Sequence, residues 1–242
     1  MRMGTLGAAL LATAMALGIS LGISLGISGV STGVHAQTPA AAPAPLPPGA
    51  VDLMTDDGVA LFKGQWRFSD VALVEITSKA TDEFVAKRFP DAPKRAERKS
   101  WDISPKAGVA GFNDSAWETV APKALSDPRT GGQFSFGWYR VVLTVPETVN
   151  GMATAGTKAF LVLHVDDYFE VWVNGQLPRS LKGPNPNLVS GWNAVGRVPL
   201  TLKDTVKPGD KIEIAIFAGN GPLSDPPTNP VFVRQARIEF AK

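Results

Sequence analysis

Gly137-Trp138-Tyr139-Arg140-Val141-Val142-Leu143-Thr144-Val145-Pro146 is the stretch whose reading decides the fold. Side chains alternate faces along an extended strand, so Tyr139, Val141, Leu143 and Val145 share one side. After a Gly/Thr loop come Ala159-Phe160-Leu161-Val162-Leu163-His164-Val165 and then Phe169-Glu170-Val171-Trp172-Val173. That last run ends in Asn174-Gly175, a pair that accepts positive φ at both positions and so closes tight hairpins. Three β-rich runs with period-two patterning predict consecutive strands of an antiparallel sheet.

The flanks read the same way. Lys63-Gly64-Gln65-Trp66-Arg67-Phe68 places Trp66 and Phe68 on one side of a short strand, and Val71 to Ile76 continues as a second run. Phe112-Asn113-Asp114-Ser115-Ala116-Trp117 has turn-forming residues between two aromatics. Arg197 to Leu202 predicts a short strand, and Lys207-Pro208-Gly209-Asp210 a turn. That turn feeds a strand with Ile212, Ile214 and Ile216 inward. From Phe232 to Phe240 the alternation sets Arg234, Ala236, Ile238 and Phe240 against Val233, Gln235, Arg237 and Glu239. No amphipathic helix of ordinary length emerges, and the 20 prolines and 24 glycines suit a chain rich in turns. The fold class is all-β, an antiparallel β-sandwich.

Residues 1–36 read as an export signal: Arg2 supplies a positive start, an apolar stretch follows from Leu6, and Val34-His35-Ala36 offers a cleavage site. The unit Leu-Gly-Ile-Ser occurs three times in succession from Leu17 to Ser28. This lengthens the stretch to the ~20 residues of a membrane span, so an uncleaved anchor is the second reading. Gly and Ser at alternate positions weaken it. Residues 37–50, almost entirely Ala and Pro, form an extended linker that cannot bury a core. The folded domain then runs over 51–242.

With no cysteine, the domain has no disulfides and relies on its core. A net charge of +2 gives no electrostatic case for nucleic acid or an anionic membrane surface. The basic cluster from Lys87 to Lys99 is broken by Pro90, Pro93 and Glu97 and reads as a solvated loop.

Five of these pieces, in this order, resemble the N-terminal sugar-binding jelly roll of family-two glycoside hydrolases, within the galactose-binding-like superfamily. They are Gly64-Gln65-Trp66-Arg67-Phe68, Phe112-Asn113-Asp114-Ser115-Ala116-Trp117, Trp138-Tyr139-Arg140, Val171-Trp172-Val173-Asn174-Gly175 and Gly209-Asp210-Lys211-Ile212-Glu213-Ile214. A similar module occurs beside gluconolactonase-type domains. The resemblance implies a jelly-roll sandwich in which Trp66, Trp117 and Trp138 are core or inter-sheet residues. The family's catalytic carboxylates lie in a barrel domain that has no counterpart in this sequence, and fold alone does not transfer catalysis.

The residues themselves offer little chemistry. His164 is the one histidine of the 51–242 region and reads as a satisfied core residue, since no cysteine or second histidine completes a zinc site. No G-x-S-x-G, P-loop or H-E-x-x-H occurs in the 51–242 region. A carbohydrate site needs planar hydrogen-bonding side chains beside an exposed ring, and three loops supply them. The candidate ligand-binding residues are Asp166, Asp167 and Tyr168; Trp192 and Asn193; and Asn220 and Asp225. Loops from alternate strands gather at one end of a sandwich, where these residues can converge. The bland reading of Asp166-Asp167 is turn residues bonding their own backbone, and that of Trp192 is a plug at one end of the sandwich.

The expectation is therefore an exported protein, periplasmic or secreted, acting as a non-catalytic carbohydrate-binding module accessory to a glycosidase or sugar lactonase. The alternative is a structural or protein-interaction domain that keeps the fold without sugar binding. No cofactor is expected beyond a structural calcium near Asp166 and Asp167. The expected partners are a glycan and an enzyme, with no nucleic acid, and no membrane unless residues 1–36 are retained. The intact mass of the exported protein should correspond to a chain beginning near Gln37. Retention of residues 1–36 in a membrane fraction would instead establish the anchor.

Overall fold

The computed structural model describes residues 45–76, 87–88, 90, 100–177, 189–190, 193–201, 205–221 and 228–242. The expected export signal and most of the linker lie outside them. The first strands are β1 (Ala50–Asp52), β2 (Trp66–Asp70), β3 (Ala72–Ile76), β4 (Ser100–Ser104) and β5 (Glu118–Val120). Next come β6 (Ser135–Thr144), β7 (Thr148–Val149), β8 (Met152–Ala153), β9 (Lys158–Asp166) and β10 (Tyr168–Val173). The chain ends with β11 (Val189–Ser190), β12 (Gly196–Pro199), β13 (Lys211–Asn220) and β14 (Phe232–Ala241). The helical elements include α1 (Asp56–Leu61), capped by the Thr55 hydroxyl accepting from the Gly58 amide, and a 3₁₀ turn at Pro122–Ser126, and Lys87 and Arg88 are also helical.

Two antiparallel sheets face each other. One has the order β11-β10-β13-β6-β2-β5 and the other β1-β14-β9-β12. Their inner faces make one apolar core. Tyr139, Val141, Leu143 and Val145 of the β6 region enter it together, with Leu161, Leu163 and Val165 of β9 and Ile212, Ile214 and Ile216 of β13. Trp66 and Phe68 enter from β2, and the Trp66 indole N–H donates to the Leu53 carbonyl at 3.1 Å. The fold is thus the all-β sandwich that the period-two patterning predicts.

The turn after β10 has φ +48° at Asn174 and +77° at Gly175. It closes with paired bonds between Val173 and Gln176, as the Asn-Gly pair predicts. Strand β14 departs from simple alternation. Its register with β9 shifts between Val233 and Gln235, so Val233 joins Ala236, Ile238 and Phe240 in the core while Arg234 is exposed. The bulge places one extra residue on β14, which resets the parity on either side of it.

The tryptophans divide by strand parity. Trp66 lies between the sheets, whereas Trp138 is buried on the opposite, outer face of the six-stranded sheet. Trp117 and Trp172 are half-buried against Trp138 in a second, smaller cluster. Trp138 and Arg140 point away from the main core because Tyr139, between them, points into it.

The segment from Ile103 to Trp117 covers them. The Trp138 indole N–H donates to the Pro105 carbonyl at 2.8 Å, and the Gly108 backbone lies flat against the Trp172 ring, where a Cβ would come within 2.5 Å. Arg140, only 3% exposed, donates to the Ala107 carbonyl and to the Asp114 carboxylate at 2.9 Å. Its guanidinium also lies 3.8 Å from Glu213 and 5.4 Å from the Phe112 ring centroid. Arg67 adds bonds to the Ser115 and Trp117 carbonyls at 3.2 and 3.4 Å. The Phe112–Trp117 turn and the Trp138-Tyr139-Arg140 strand are therefore two halves of one contact. Replacing Arg140 by Ala opens a void beside Asp114 and leaves that carboxylate only the longer contact with Arg67. We predict a loss of about 3 kcal/mol, the low end for a broken buried pair because Asp114 and Glu213 keep some water, read as a lowered urea midpoint.

Candidate functional site

The chain passes from the four-stranded to the six-stranded sheet between β9 and β10, and Asp167 is the single residue at that crossing. Asp166, at the end of β9, pairs with Arg234 at 3.1 Å. Asp167 is 4% exposed, and its amide donates to the Gly219 carbonyl at 3.3 Å. Asn193 meets Asp167 twice: its amide donates to the Asp167 carbonyl at 3.0 Å and its side-chain NH₂ to the carboxylate at 2.5 Å. Asn220 is buried at the end of β13, donating to the Pro230 carbonyl at 2.9 Å while its own oxygen accepts from the Gly221 amide.

Asp166, Asp167, Tyr168, Asn193 and Asn220 are thus drawn to one end of the sandwich, while Trp192 and Asp225 lie outside the described residues. Most of the polar groups brought together hold the crossing itself. A buried carboxylate needs hydrogen-bond donors, and Asn193 supplies one. No cluster of three or more metal-ligating side chains occurs among the described residues.

His164 is half-buried, and its strand parity sends it away from the core that takes Leu163 and Val165. It is not the satisfied core histidine that the sequence suggests, because its Nε2 is buried without a hydrogen-bond partner among the described residues. A cleft of ≈ 270 Å³ between α1 and the Thr119–Pro122 segment is mainly apolar and gathers no chemically active set.

Tyr168 behaves differently from its neighbours. It is 37% exposed and belongs to the outer face of the six-stranded sheet, with Glu170 and Trp172. Cross-strand pairing sets Tyr168 opposite Gly219 and Gly219 opposite Phe136. One row further along, Glu170 stands opposite Phe217 and Phe217 opposite Trp138. With no side chain at Gly219, the Phe136 ring lies over the backbone there, and a Cβ would come within 3.2 Å of it.

Phe136 and Phe217 lie 5.8 Å apart with planes 11° from parallel, and Phe134 and Phe136 lie 6.4 Å apart at 15°. Phe134 is 57% exposed. A row of near-parallel rings therefore runs from open solvent to Phe217, which meets the buried Trp138 at 5.1 Å and a tilt of 59°, and Tyr168 and Glu170 flank the row. Glu170 accepts a long bond, 3.4 Å, from the Trp172 indole.

Sequence reasoning toward a site in the loops passes over Phe134, Phe136, Phe217 and Glu170. Their signal is parity: Phe134, Phe136 and Trp138 share one face, opposite the core residue Tyr139. The outer face of the four-stranded sheet is finished quite differently. There Arg197 and Arg237 both bond Glu239, and Arg197 lies 3.4 Å over the Phe160 ring. Burial opposes ionisation of Glu239, but those two arginines outweigh it and hold its carboxyl below the usual range.

No protein-family model matches this chain, and no curated protein matches it. Among solved structures, a β-glucuronidase from Faecalibacterium prausnitzii overlaps 82% of this chain and 32% of its own, at 14% identity and TM-score 0.34. A β-glucuronidase from an uncultured Clostridium sp. overlaps 73% and 29%, at 10% identity and TM-score 0.32. A β-glucosidase from Kluyveromyces marxianus overlaps 79% and 18%, at 14% identity and TM-score 0.31. The chain spans a third or less of each of these enzymes.

Asn193→Ala removes one donor from the Asp167 carboxylate. The expected outcome is a fall in stability of about 1.5–3 kcal/mol, measured by chemical denaturation, as for the loss of a hydrogen bond to a charged group.

Proposed function

We propose that this protein is an exported, non-catalytic carbohydrate-binding module built on a galactose-binding-like jelly roll, acting beside a separately encoded glycosidase or sugar lactonase. The observation that carries this reading is the row of near-parallel rings on the open half of the six-stranded sheet. Phe134, Phe136 and Phe217 give it an apolar floor, and the Tyr168 hydroxyl and Glu170 carboxylate stand along one side. A pyranose has an apolar face of C–H groups and a rim of hydroxyls. Its C–H face matches the negative face of an aromatic ring, and its rim matches the polar pair.

The five ordered sequence motifs support the same reading. All five contribute directly to the two clusters or the layer over the smaller one, the fifth through Ile212 and Ile214 of β13. The Ala/Pro linker and the signal-like residues before it favour an exported module that begins with an extended segment. The non-catalytic assignment rests on the carboxylates at the crossing. Asp166 is paired with Arg234 and Asp167 with Asn193, so neither is offered to a glycosidic bond, which requires two cooperating carboxyl groups.

One observation favours a protein-interaction role. The two-stranded ribbon β3–β4 exposes Leu73 (49%), Val74, Ile76 and Trp101 (58%), more apolar surface than a solvated hairpin requires. The two readings part on one experiment, titration of the soluble domain with a panel of oligosaccharides by calorimetry. Binding is expected, and Phe134→Ala combined with Phe136→Ala should weaken it about tenfold, in line with the loss of a stacked aromatic contact. Phe134→Ala alone should leave the melting temperature nearly unchanged, because Phe134 is mostly exposed, whereas losing the half-buried Phe136 should lower it modestly. Absence of binding to every sugar would leave the interaction role.

A further inference from the structure

Resting on that reading, we propose that the ring platform is selective for neutral hexopyranosides and rejects uronic-acid glycans, with Glu170 as the specificity-determining residue. Three observations point there. Glu170 lies on the platform's edge, directly opposite Phe217 in the β10–β13 pairing, so its Cβ stands roughly 4.5–5.5 Å from that of Phe217. Among the described residues it has no cationic partner; its one bond is the long contact from the Trp172 indole. This sets it apart from Glu118, Glu213, Glu239, Asp114 and Asp166, each of which faces an arginine.

An acidic side chain kept unpaired beside an apolar floor accepts hydrogen bonds from hydroxyls, and charge-assisted bonds of this kind are among the strong ones. The Tyr168 hydroxyl, two residues away on the same face, is the matching neutral donor and acceptor. A sugar bound at the platform lies within the Debye length of ~8 Å at physiological salt, so the repulsion between Glu170 and a ligand carboxylate is only partly screened. Arg140, on the same face, is buried beneath the Ile103–Trp117 layer and already paired with Asp114, so it offers no compensation. Gly219 matters as well. Its missing side chain makes room for the Phe136 ring beside Tyr168, and any side chain there meets that ring.

The test uses matched pairs of neutral oligosaccharides and their uronic-acid counterparts, with glucose, galactose and mannose backbones, titrated against the soluble domain. The neutral member of the bound pair should be held at least about tenfold more tightly. Raising the salt concentration should shrink that ratio in the wild type, because only the uronate is repelled. Glu170→Gln keeps the shape and an acceptor oxygen but removes the charge. It should weaken neutral binding severalfold and bring the ratio close to one.

Equal or tighter binding of the uronate by the wild type overturns the inference, as does a ratio that neither salt nor Glu170→Gln changes. Binding of sugar that is indifferent to Phe134→Ala and Phe136→Ala leaves the module reading intact and removes this site. No binding to either member of any pair overturns the module reading, and the inference falls with it.

Discussion

Strand β6 has to bury both of its faces at mid-length, and most of the architecture answers that requirement. Its inward residues are large and apolar, so a second sheet covers them. Its outward residues include Trp138 and Arg140, an indole and a guanidinium that no sheet covers. A free-standing buried arginine is costly, so the chain folds a non-repetitive layer over it that supplies a carboxylate from Asp114 and a carbonyl from Ala107. Asp114 is fixed in turn by Arg67 from the neighbouring strand, 3.6 Å away. The layer is thus a consequence of a charge placed on the wrong side of a sandwich, and it joins β2, β6, β10 and β13 through their outer faces.

Coverage by that layer is partial, and this is what gives the molecule a usable surface. It reaches Trp138 and Trp172 but leaves the rows containing Phe136, Gly219 and Tyr168 open. The rings that continue the row beyond Trp138 therefore meet solvent without losing their orientation, since each stacks on the next and the innermost is anchored in the small core. A flexible loop aromatic has to lose rotamer freedom when it binds a sugar, and rings pre-stacked on a sheet have lost much of it already. The other sheet shows the alternative way to finish an outer face, with Arg197, Glu239 and Arg237 paired over Phe160.

At the end of the sandwich the same economy of polar groups works against binding. Where the chain crosses between sheets, backbone and carboxylate groups are taken from water and need partners. Asn193 and the Gly219 carbonyl are the partners at hand, and Asn220 is used in the same way for the segment around Pro230. A cluster of Asp and Asn at a loop junction reads as a ligand site in one dimension, yet the tertiary structure spends most of it on holding the junction.

Sequence alone determined the sandwich, because strand parity is a local property. The alternation of Tyr139, Val141, Leu143 and Val145 and of the three isoleucines of β13 assigns the inner faces without knowledge of the partner sheet, and Asn174-Gly175 fixes a turn by its φ preference. Parity also holds the outward rank of Phe134, Phe136 and Trp138, but it does not say whether an outward face is covered. Only the tertiary structure decided that Trp138 is buried and Phe134 open, that the β14 bulge moves Val233 into the core, and that Asp167 answers to Asn193. Each of these depends on contacts between residues far apart in the chain, and a period of two carries no information about what lies across from it.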